Sequence, residues 1–337
     1  MSMAKKHSKK TVKKVSKPKT PKIPKVEEKQ SYFDEHYEDV RSVTSGFTGE
    51  IFTMKVKKDR KKVAAKFVYY TNKNDELEFQ IHCLLDHPNI LKTIESFVHY
   101  KYAYRIMFKQ LVLVMEHADG GTLYQYVKKY KIWCKPSEIQ GLVLQITEGL
   151  TYIHKRGFIH RDIKPGNILI VKGVPKIADF GLAAAIPANG FLQHSGLQGT
   201  PAFIAPEMLC NLSYTNTFDV WSLGVTITVM VFGEDFFGIK SWLQMAEVDK
   251  PAYCLKKILA ETGVPKESDF PDLRDTDAFR YANFGEPLPP ERPDFLEPLR
   301  EALGDDGLDF LYCCLTVAPS LRYTSEQLLD HPYLTEY

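Results

Sequence analysis

Two kinds of hydrophobic pattern follow one another along this chain. From about residue 36 to 116 the apolar residues fall in short runs rich in β-branched and aromatic side chains, such as "RSVTSGFTGEIFTMKVK", "KKVAAKFVYY" and the continuous "QLVLVMEH". The first two runs predict a hairpin or meander, and the third predicts an interior strand. Between them, "NDELEFQIHCLLDHPNI" carries apolar residues at helical spacing and predicts one helix.

After "ADGG" the pattern becomes helical. The stretch "KPSEIQGLVLQITEGLTYIHKRG" has Pro136 and Ser137 as start signals and a glycine near its end. "FDVWSLGVTITVMVFG" predicts a wholly buried helix, although its β-branched residues leave a strand as the alternative. The sequence contains no internal repeat.

One polar segment interrupts two apolar stretches. In "FIHRDIKPGNILI", residues 158–170, charged and amide side chains separate flanks that predict short buried strands. The polar residues are therefore expected on the connecting loop, and loops held by a rigid scaffold often carry catalytic groups. An idle, solvated hairpin tip is the alternative interpretation.

Charge divides the chain into two parts. Residues 1–25 contain ten lysines and no acidic residue. The whole chain has a net charge of +2, so residues 26–337 carry a net charge of −8. Residues 1–30 have almost no large apolar side chains and are predicted to be a disordered, lysine-rich tail. Such a tail suggests contact with an import receptor, nucleic acid or an acidic partner, or it serves only as a solubilising tail.

Cysteine spacing and hydropathy restrict the class of protein. The six cysteines form no C-x-x-C pair, which favours free thiols in a reducing compartment over disulfides or a zinc site. No apolar run approaches 18 residues, and no apolar segment follows the basic start, so neither a membrane span nor a secretory signal is predicted. We expect a soluble intracellular protein, nuclear or cytoplasmic, that is monomeric.

The order of several short motifs carries a family resemblance. "VAAK", "DELEFQIHCLLDHPNI", "LVMEHADGGTL", "IHRDIKPGNIL", "ADFGLA", "GTPAFIAPE" and "DVWSLG" follow one another as in eukaryotic protein kinases. The resemblance extends from about residue 40 to "LRYTSEQLLDHPYL". It implies an α+β, bilobal fold with a small antiparallel-sheet N-terminal lobe carrying one helix, residues 36–116. A larger, mainly helical C-terminal lobe would span residues 117–335.

The resemblance also implies which residues carry the chemistry. Phosphoryl transfer needs placement and charge neutralisation, and Asp162 is the candidate to face the acceptor hydroxyl, with Lys164 against the transferring phosphate. Asn167 and Asp179 offer the hard oxygen ligands that Mg²⁺ prefers. ATP and Mg²⁺ are thus the implied cofactors, and protein substrates the implied partners.

A lysine and a set of apolar positions are implied to bind the nucleotide. Lys66 would contact the α- and β-phosphates, oriented by Glu78, with Glu76 as the alternative partner. Further positions implied at the phosphates or around the adenine ring are Gly46, Gly49, Ile51, Ala64, Met115, Glu116, Ala118 and Leu169. The apolar ones also suit plain core packing.

Other positions are expected to act as structural support. Asp219 of "DVWSLG" is expected to accept hydrogen bonds from the catalytic-loop backbone. Glu207 is expected to pair with Arg322, and breaking such a buried pair costs several kcal/mol.

Two departures from the family pattern bear on activity. Thr44 replaces the first glycine of the usual glycine-rich loop, so we expect weaker nucleotide binding. His82 stands where the family favours an apolar residue stacked on the phenylalanine of "DFG". A neutral histidine could fill that slot but a charged one could not, so pH- or partner-dependent assembly is one hypothesis and a tolerated histidine the other.

Substrate class and regulation are also implied. "HRDIKPGN" has the lysine typical of serine/threonine kinases, and Thr200 of "GTPAF" agrees, while Thr122 and Gly166 give no support for arginine selection. Arg161 suggests control by a phosphate on the activation loop, for which Ser195 is the candidate. "LKKILAETGVPKESDFPDL" faintly resembles an insert of cyclin-dependent-like kinases, so the subfamily stays open.

Four functions are compatible with these features of the chain. A Mg²⁺- and ATP-dependent serine/threonine protein kinase is the leading interpretation, with a possible regulatory protein partner. A pseudokinase scaffold that binds partners with little catalysis is the alternative. A nucleic-acid-binding protein acting through its tail is a third interpretation, which predicts salt-dependent binding that is lost without residues 1–30. A small-molecule kinase is the fourth, and "GTPAFIAPE" speaks against it because such enzymes generally lack this segment.

Overall fold

The structure is a computed structural model. It describes residues 27–28, 32–46, 49–71, 75–103, 106–193, 196–239, 246, 249–284, 288, 290 and 294–335. Two sequence predictions therefore lie mostly or wholly outside the described residues: the disordered tail over 1–30 and the phosphorylation site at Ser195.

One mixed sheet with two helices builds the N-terminal lobe. Its elements are β1 (Glu27–Glu28), α1 (Tyr32–His36), β2 (Tyr37–Gly46), β3 (Gly49–Val56), β4 (Lys62–Tyr69), α2 (Asp75–Leu84), β5 (Thr93–Ala103) and β6 (Ile106–Glu116). The strand order is β1-β5-β6-β4-β3-β2. The meander β2–β3–β4 is antiparallel, as the alternating runs predicted, and β4 and β5 both pair antiparallel with β6.

The start of this lobe differs from the prediction. Glu27 and Glu28, inside the segment predicted to be disordered, pair in parallel with Phe97 and Val98 of β5. This pairing adds a parallel strand to a sheet that was predicted to be antiparallel. An edge strand offers unpaired backbone groups to any extended segment. Because the pairing needs no apolar side chains, the amino-acid composition of residues 1–30 does not predict this strand.

Both faces of the sheet are covered, which explains the continuous apolar run in β6. Val112 and Val114 lie in a cluster with Phe67 and Phe97, against which Tyr32 and Phe33 around α1 pack. The alternate residues Leu111, Leu113 and Met115 pack with Phe79 of α2 on the other face. Successive side chains of a strand point to opposite faces, so a strand buried on both sides is apolar throughout.

The C-terminal lobe is mainly helical. Its elements are β7 (Gly121–Thr122), α3 (Leu123–Tyr130), α4 (Pro136–Lys155), β8 (Phe158–Ile159), β9 (Ile168–Val171), β10 (Val174–Ile177), β11 (Ala184–Ala185), α5 (Pro206–Leu209), α6 (Thr217–Phe232), α7 (Lys250–Thr262), α8 (Asp277–Ala282), α9 (Arg300–Cys314), α10 (Ser325–Leu329) and α11 (Pro332–Thr335). In the part of the chain that the structure describes, no helix is both long and apolar enough to cross a bilayer.

Helix α6 lies at the centre of this lobe. Its residues 217–230 are all buried, and Gly233 ends it in the left-handed conformation at φ 78°. A Cβ at Gly224 would lie 2.8 Å from Cys314 Cβ on α9, so the backbone of α6 packs directly against side chains of α9. Burial on every side favours the helix over the strand that the β-branched residues had left open, because tertiary packing outweighs propensity.

The polar segment 158–170 does lie between two buried strands. These strands do not form a hairpin with each other: β8 pairs with β11, whereas β9 pairs with β10 and β7. The connecting loop is therefore fixed at both ends by separate sheets, which contradicts the idle hairpin-tip interpretation.

A buried ion pair links α5 to the C-terminal region. Both side chains are fully buried, and Arg322 donates to the two carboxylate oxygens of Glu207 at 2.7 and 2.9 Å. The guanidinium also donates to the carbonyls of Thr316, Thr217 and Val317. The predicted pairing is confirmed, and its hydrogen bonds leave few polar groups uncompensated.

Loss of one partner of this pair should destabilise the fold strongly. We expect Arg322→Met to lower the free energy of unfolding by about 3–5 kcal/mol, because Glu207 would stay buried without its counter-ion. Urea denaturation followed by circular dichroism measures this. Lys135→Ala, which breaks an exposed pair with Glu138, serves as the control and should change little. A loss below about 1 kcal/mol in Arg322→Met would contradict the assignment.

Candidate active site

Three charged groups from distant parts of the sequence meet between the lobes. Lys66 lies in β4, Glu78 in α2 and Asp179 just after β10. The Lys66 ammonium is 2.5 Å from Glu78 Oε1 and 2.8 Å from Asp179 Oδ1. Glu78, and not the alternative Glu76, is therefore the partner of the lysine.

The charges of this cluster are strongly coupled. Burial alone would lower the pKa of Lys66, but the Glu78 and Asp179 carboxylates outweigh it and raise that pKa. Burial raises the pKa of Glu78, aided by the nearby Asp179 and opposed by Lys66. For Asp179 the attraction of Lys66 outweighs burial and lowers the pKa. Two carboxylates around one ammonium leave a net negative site that favours a cation.

Backbone geometry around Asp179 is specialised. Asp179 has a positive φ of 63°, a conformation that costs energy for a residue with a side chain and that clusters at functional sites. A Cβ at the following Gly181 would lie 3.3 Å from both Asp179 Oδ1 and Glu78 Oε2. A larger residue there would crowd both carboxylates.

The loop after β8 gathers donors around a second carboxylate. Lys164 Nζ and Asn167 Nδ2 each donate to Asp162 Oδ2 at 2.7 Å. Thr200 Oγ1 donates to Asp162 Oδ1 at 2.7 Å and accepts from Lys164 Nζ at 2.6 Å. Asn167 also donates to the Asp162 carbonyl. The predicted residues thus lie together, and Thr200 joins them from 38 residues downstream.

A buried aspartate holds this loop from below. Asp219, fully buried on α6, accepts from the backbone N–H groups of His160 and Arg161 at 2.8 Å each. Burial would raise its pKa, but hydrogen bonding and charge, His154 first among them, outweigh this and lower it. The predicted support of the catalytic-loop backbone is confirmed.

One supporting residue was missed by the sequence analysis. His154, near the end of α4, donates through Nε2 to Asp219 Oδ2 at 2.9 Å, while its Nδ1 lies 2.8 Å from Ser325 Oγ. Its polar side chain within the buried face of an amphipathic helix was the available signal.

Arg161 is held by neighbouring groups. Its Nε donates to the carbonyl of Leu182 at 2.5 Å and its Nη1 to the hydroxyl of Tyr214 at 3.1 Å. Tyr214 in turn forms a two-bond backbone bridge with Leu192 of the segment after "DFG". Arg161 is therefore linked to the segment after "DFG" directly at Leu182 and, through Tyr214, at Leu192.

His82 fills the slot under α2 as a neutral ring. Its Nε2–H donates to the Leu91 carbonyl at 2.6 Å, and its ring centroid lies 4.8 Å from that of Phe180. Phe180 packs in turn on His160 at 5.0 Å. Burial, with smaller effects from Lys66 and His160 and opposed by Leu91 and Asp179, lowers the pKa of His82 to about 4. The ring therefore stays uncharged between pH 6 and 8.

The implied adenine-site residues line the same region. Ala64 on β4 lies opposite Met115 on β6, and Ile51 on β3 lies opposite Lys66. Met115 packs in one cluster with the partly buried Ala118 and Leu169. Met115 therefore connects β4 with residues of the C-terminal lobe, while the adenine-binding role of these positions stays a prediction.

Two further predicted positions have defined environments. The Glu116 side chain accepts from the Lys92 N–H at 2.8 Å and lies 3.0 Å from Lys176 Nζ, which ties the chain between the lobes to its neighbours. Gly46 and Gly49 pair at the end of the β2–β3 hairpin, whose residues 47–48 lie outside the described part. Gly49 has φ 130°, and a Cβ there would lie 2.5 Å from the Phe67 carbonyl oxygen, so only glycine fits.

A second polar cluster resembles a metal site only in composition. Asp309, Cys313 and His331 bring their ligand atoms within 4.8 Å of one another. The Tyr333 N–H donates to His331 Nδ1, which leaves the proton on Nε2, and Nε2 donates to Asp309 at 3.1 Å. A metal at Nε2 would need that proton removed and the Tyr333 bond broken, so the cluster acts as a hydrogen-bonded tie.

Comparison with known proteins agrees with the geometry. The family model described as "Protein kinase domain" matches residues 37–334, so the chain belongs to the protein kinase family. The chain is similar to mitogen-activated protein kinase kinase kinase 3 of Arabidopsis thaliana, at 32% identity over 74% of this chain and 33% of that protein. It is also similar to the serine/threonine-protein kinase STE20 of Candida glabrata, at 34% identity over 74% and 22%. The chain thus covers a third or less of each of these relatives.

The burial of a neutral His82 predicts that the protein loses stability as the pH falls. Its pKa is about 4 folded and 6.5 as a free residue, so the unfolded chain takes up the proton first and stability falls as pH drops below 6.5. Relative to His82→Leu, the parent should lose about 2 kcal/mol between pH 7 and 5. Urea unfolding at several pH values measures the difference. Parallel stability curves for parent and variant would show that His82 titrates normally.

Proposed function

We propose that this chain is an active serine/threonine protein kinase that transfers the γ-phosphoryl group of ATP to protein hydroxyls. The observation that carries the proposal is the bridge from Lys66 to both Glu78 and Asp179, which couples β4, α2 and the C-terminal lobe in one constellation. Kinases need their strand lysine paired with the helix glutamate, and their "DFG" aspartate in place, for catalysis.

The donor set fits a Mg²⁺ ion bound with ATP. Asp179 is about one-third exposed, carries a carboxylate with lowered pKa, and belongs to a cluster with net negative charge. Asn167 uses its amide nitrogen in the bonds to Asp162, so its oxygen lies outside those bonds. Asp179 and Asn167 would hold the ion, which would neutralise charge on the phosphates.

The protein's own groups supply position and proton transfer. Asp162 would take the proton of the acceptor hydroxyl while the hydroxyl oxygen forms a bond to the γ-phosphorus. The bond from that phosphorus to the oxygen of the β-phosphate would break, and ADP would leave. Lys164, now bonded to Asp162 and Thr200, would stabilise the charge on the transferring group. Lys66 would bind the α- and β-phosphates, held in place by Glu78.

Serine and threonine are the proposed acceptors. Lys164 and Thr200, the residues whose types favour serine or threonine in the family pattern, both bond to the Asp162 carboxylate and to each other. The names of both relatives cited above describe protein kinases, and one is named a serine/threonine-protein kinase.

Localisation, the basic tail and Ser195 are further parts of this proposal. An intracellular kinase, nuclear or cytoplasmic, would use its basic tail for an import receptor or an acidic partner. Phosphorylation of Ser195 would add to the contacts that Arg161 already makes with Leu182 and Tyr214. Mass spectrometry of active protein with Ser195 unmodified would exclude a requirement for that phosphate.

Replacement of the catalytic carboxylate separates an active kinase from a pseudokinase scaffold. We expect Asp162→Asn to lower Mg²⁺-dependent phosphorylation of a serine/threonine peptide pool by about 10²–10⁴-fold, because the amide cannot accept the hydroxyl proton. Radiolabel transfer from ATP measures the rate, and Asp306→Asn, an exposed residue on α9, is the matched control. Equal residual turnover in the parent and in Asp162→Asn would favour the scaffold.

A further inference from the structure

An apolar hollow lies beside the catalytic loop. It measures about 300 Å³ and is enclosed by α3, the end of α6 and the segment between α3 and α4. Its apolar walls come from Leu123, Val127, Trp133, Val229, Met230 and Phe232. Hydrophobic pockets of this size accept one large apolar side chain or a small molecule.

A second hollow joins the first to the catalytic loop. This acceptor groove, about 430 Å³, is lined by Lys164 and Gly166, by Ala202 and Phe203 just after Thr200, and by Glu234 and Asp235 beyond α6. Tyr124, Pro165, Val229 and Gly233 line both hollows. The two hollows therefore share walls and lie side by side, from Lys164, which bonds to Asp162, to the apolar hollow. Together they are called the channel.

Helix α3, which lines the channel, is fixed in position relative to the catalytic loop. The Tyr124 N–H donates to the Pro165 carbonyl at 3.5 Å, so the first turn of α3 is bonded to the catalytic loop. A capping box between Thr122 and Gln125 fixes the start of α3. Val229 is almost fully buried, so its side chain is packed on most sides. A chain lying in the channel would thus find the hollow at a fixed distance from Asp162.

We infer that this kinase selects protein substrates by an apolar side chain, seated in the apolar hollow while the acceptor hydroxyl lies at Asp162. The inference rests on the proposed function and names its substrate class. Arginine is a poor occupant, because the hollow has apolar walls and Lys128 at its edge. Glu234 and Asp235 would repel acidic residues between the anchor and the acceptor.

A positional-scanning peptide library with Mg²⁺ and ATP tests the inference. We expect one position at which leucine, isoleucine, methionine or phenylalanine is preferred over alanine by about 10–100-fold in kcat/KM. Because the anchor lies away from the reacting atoms, the loss in its alanine peptide should appear in KM, with kcat kept.

A charge placed in the hollow should change this preference. Phe232 is 43% exposed at the end of α6, so Phe232→Asp should fold normally and shift the selected residue from apolar to lysine or arginine. Phe232→Leu should retain the apolar preference. Tyr281→Asp makes the same kind of change at another exposed aromatic residue, 67% exposed on α8, and should leave the preference unchanged.

The possible results separate this inference from the proposed function. Peptides phosphorylated without an apolar position, or with the same preference in Phe232→Asp, would overturn the inference and leave the kinase activity intact. If no peptide is phosphorylated, the proposed function fails, and binding decides the inference. Leucine-containing peptides should then change the fluorescence of Trp133, identified by Trp133→Phe, more than alanine peptides do; no difference would overturn it.

Discussion

The contact of Lys66 with both Glu78 and Asp179 is the interaction on which the arrangement of this molecule depends. A central strand of the N-terminal sheet, its covering helix and the segment after β10 meet in that one cluster, although Asp179 comes 113 positions after Lys66. The lysine is buried, so its charge needs a carboxylate beside it. A displacement of α2 that removed Glu78 would leave Lys66 paired with Asp179 alone, so the position of α2 decides how the lysine is held between the lobes.

Helix α2 is held in this position by a second, neutral contact. In the described part of the chain, the His82 ring bonds to the Leu91 carbonyl and packs on Phe180, which packs on His160 of the catalytic loop. An apolar residue would offer packing alone, whereas the histidine adds a directional bond. Burial keeps the ring neutral in this arrangement, so the pH-dependent assembly suggested by His82 would take effect below pH 6.5, where an exposed histidine takes up a proton.

The C-terminal lobe provides a rigid base for the proposed catalytic groups. Asp219 on the buried helix α6 fixes the backbone of His160 and Arg161, and the loop then presents Asp162 to Thr200 and Lys164. The same helix supplies Val229 and Phe232 to the apolar hollow. One buried element therefore positions both the catalytic carboxylate and the proposed substrate anchor, which favours a constant distance between them.

The sequence by itself determined the family, the two-lobed fold and the lysine and aspartate of the charged cluster, because each motif is local and its residue types match the family pattern. It could not determine β1, whose pairing uses only backbone groups at a sheet edge. Nor could it determine the role of His154, or that the acceptor groove and the apolar hollow lie side by side, since both depend on atoms brought together by folding. The tertiary structure also decided that Glu78 rather than Glu76 faces Lys66, because only the rotation of α2 in its packed position selects between two glutamates on one helix.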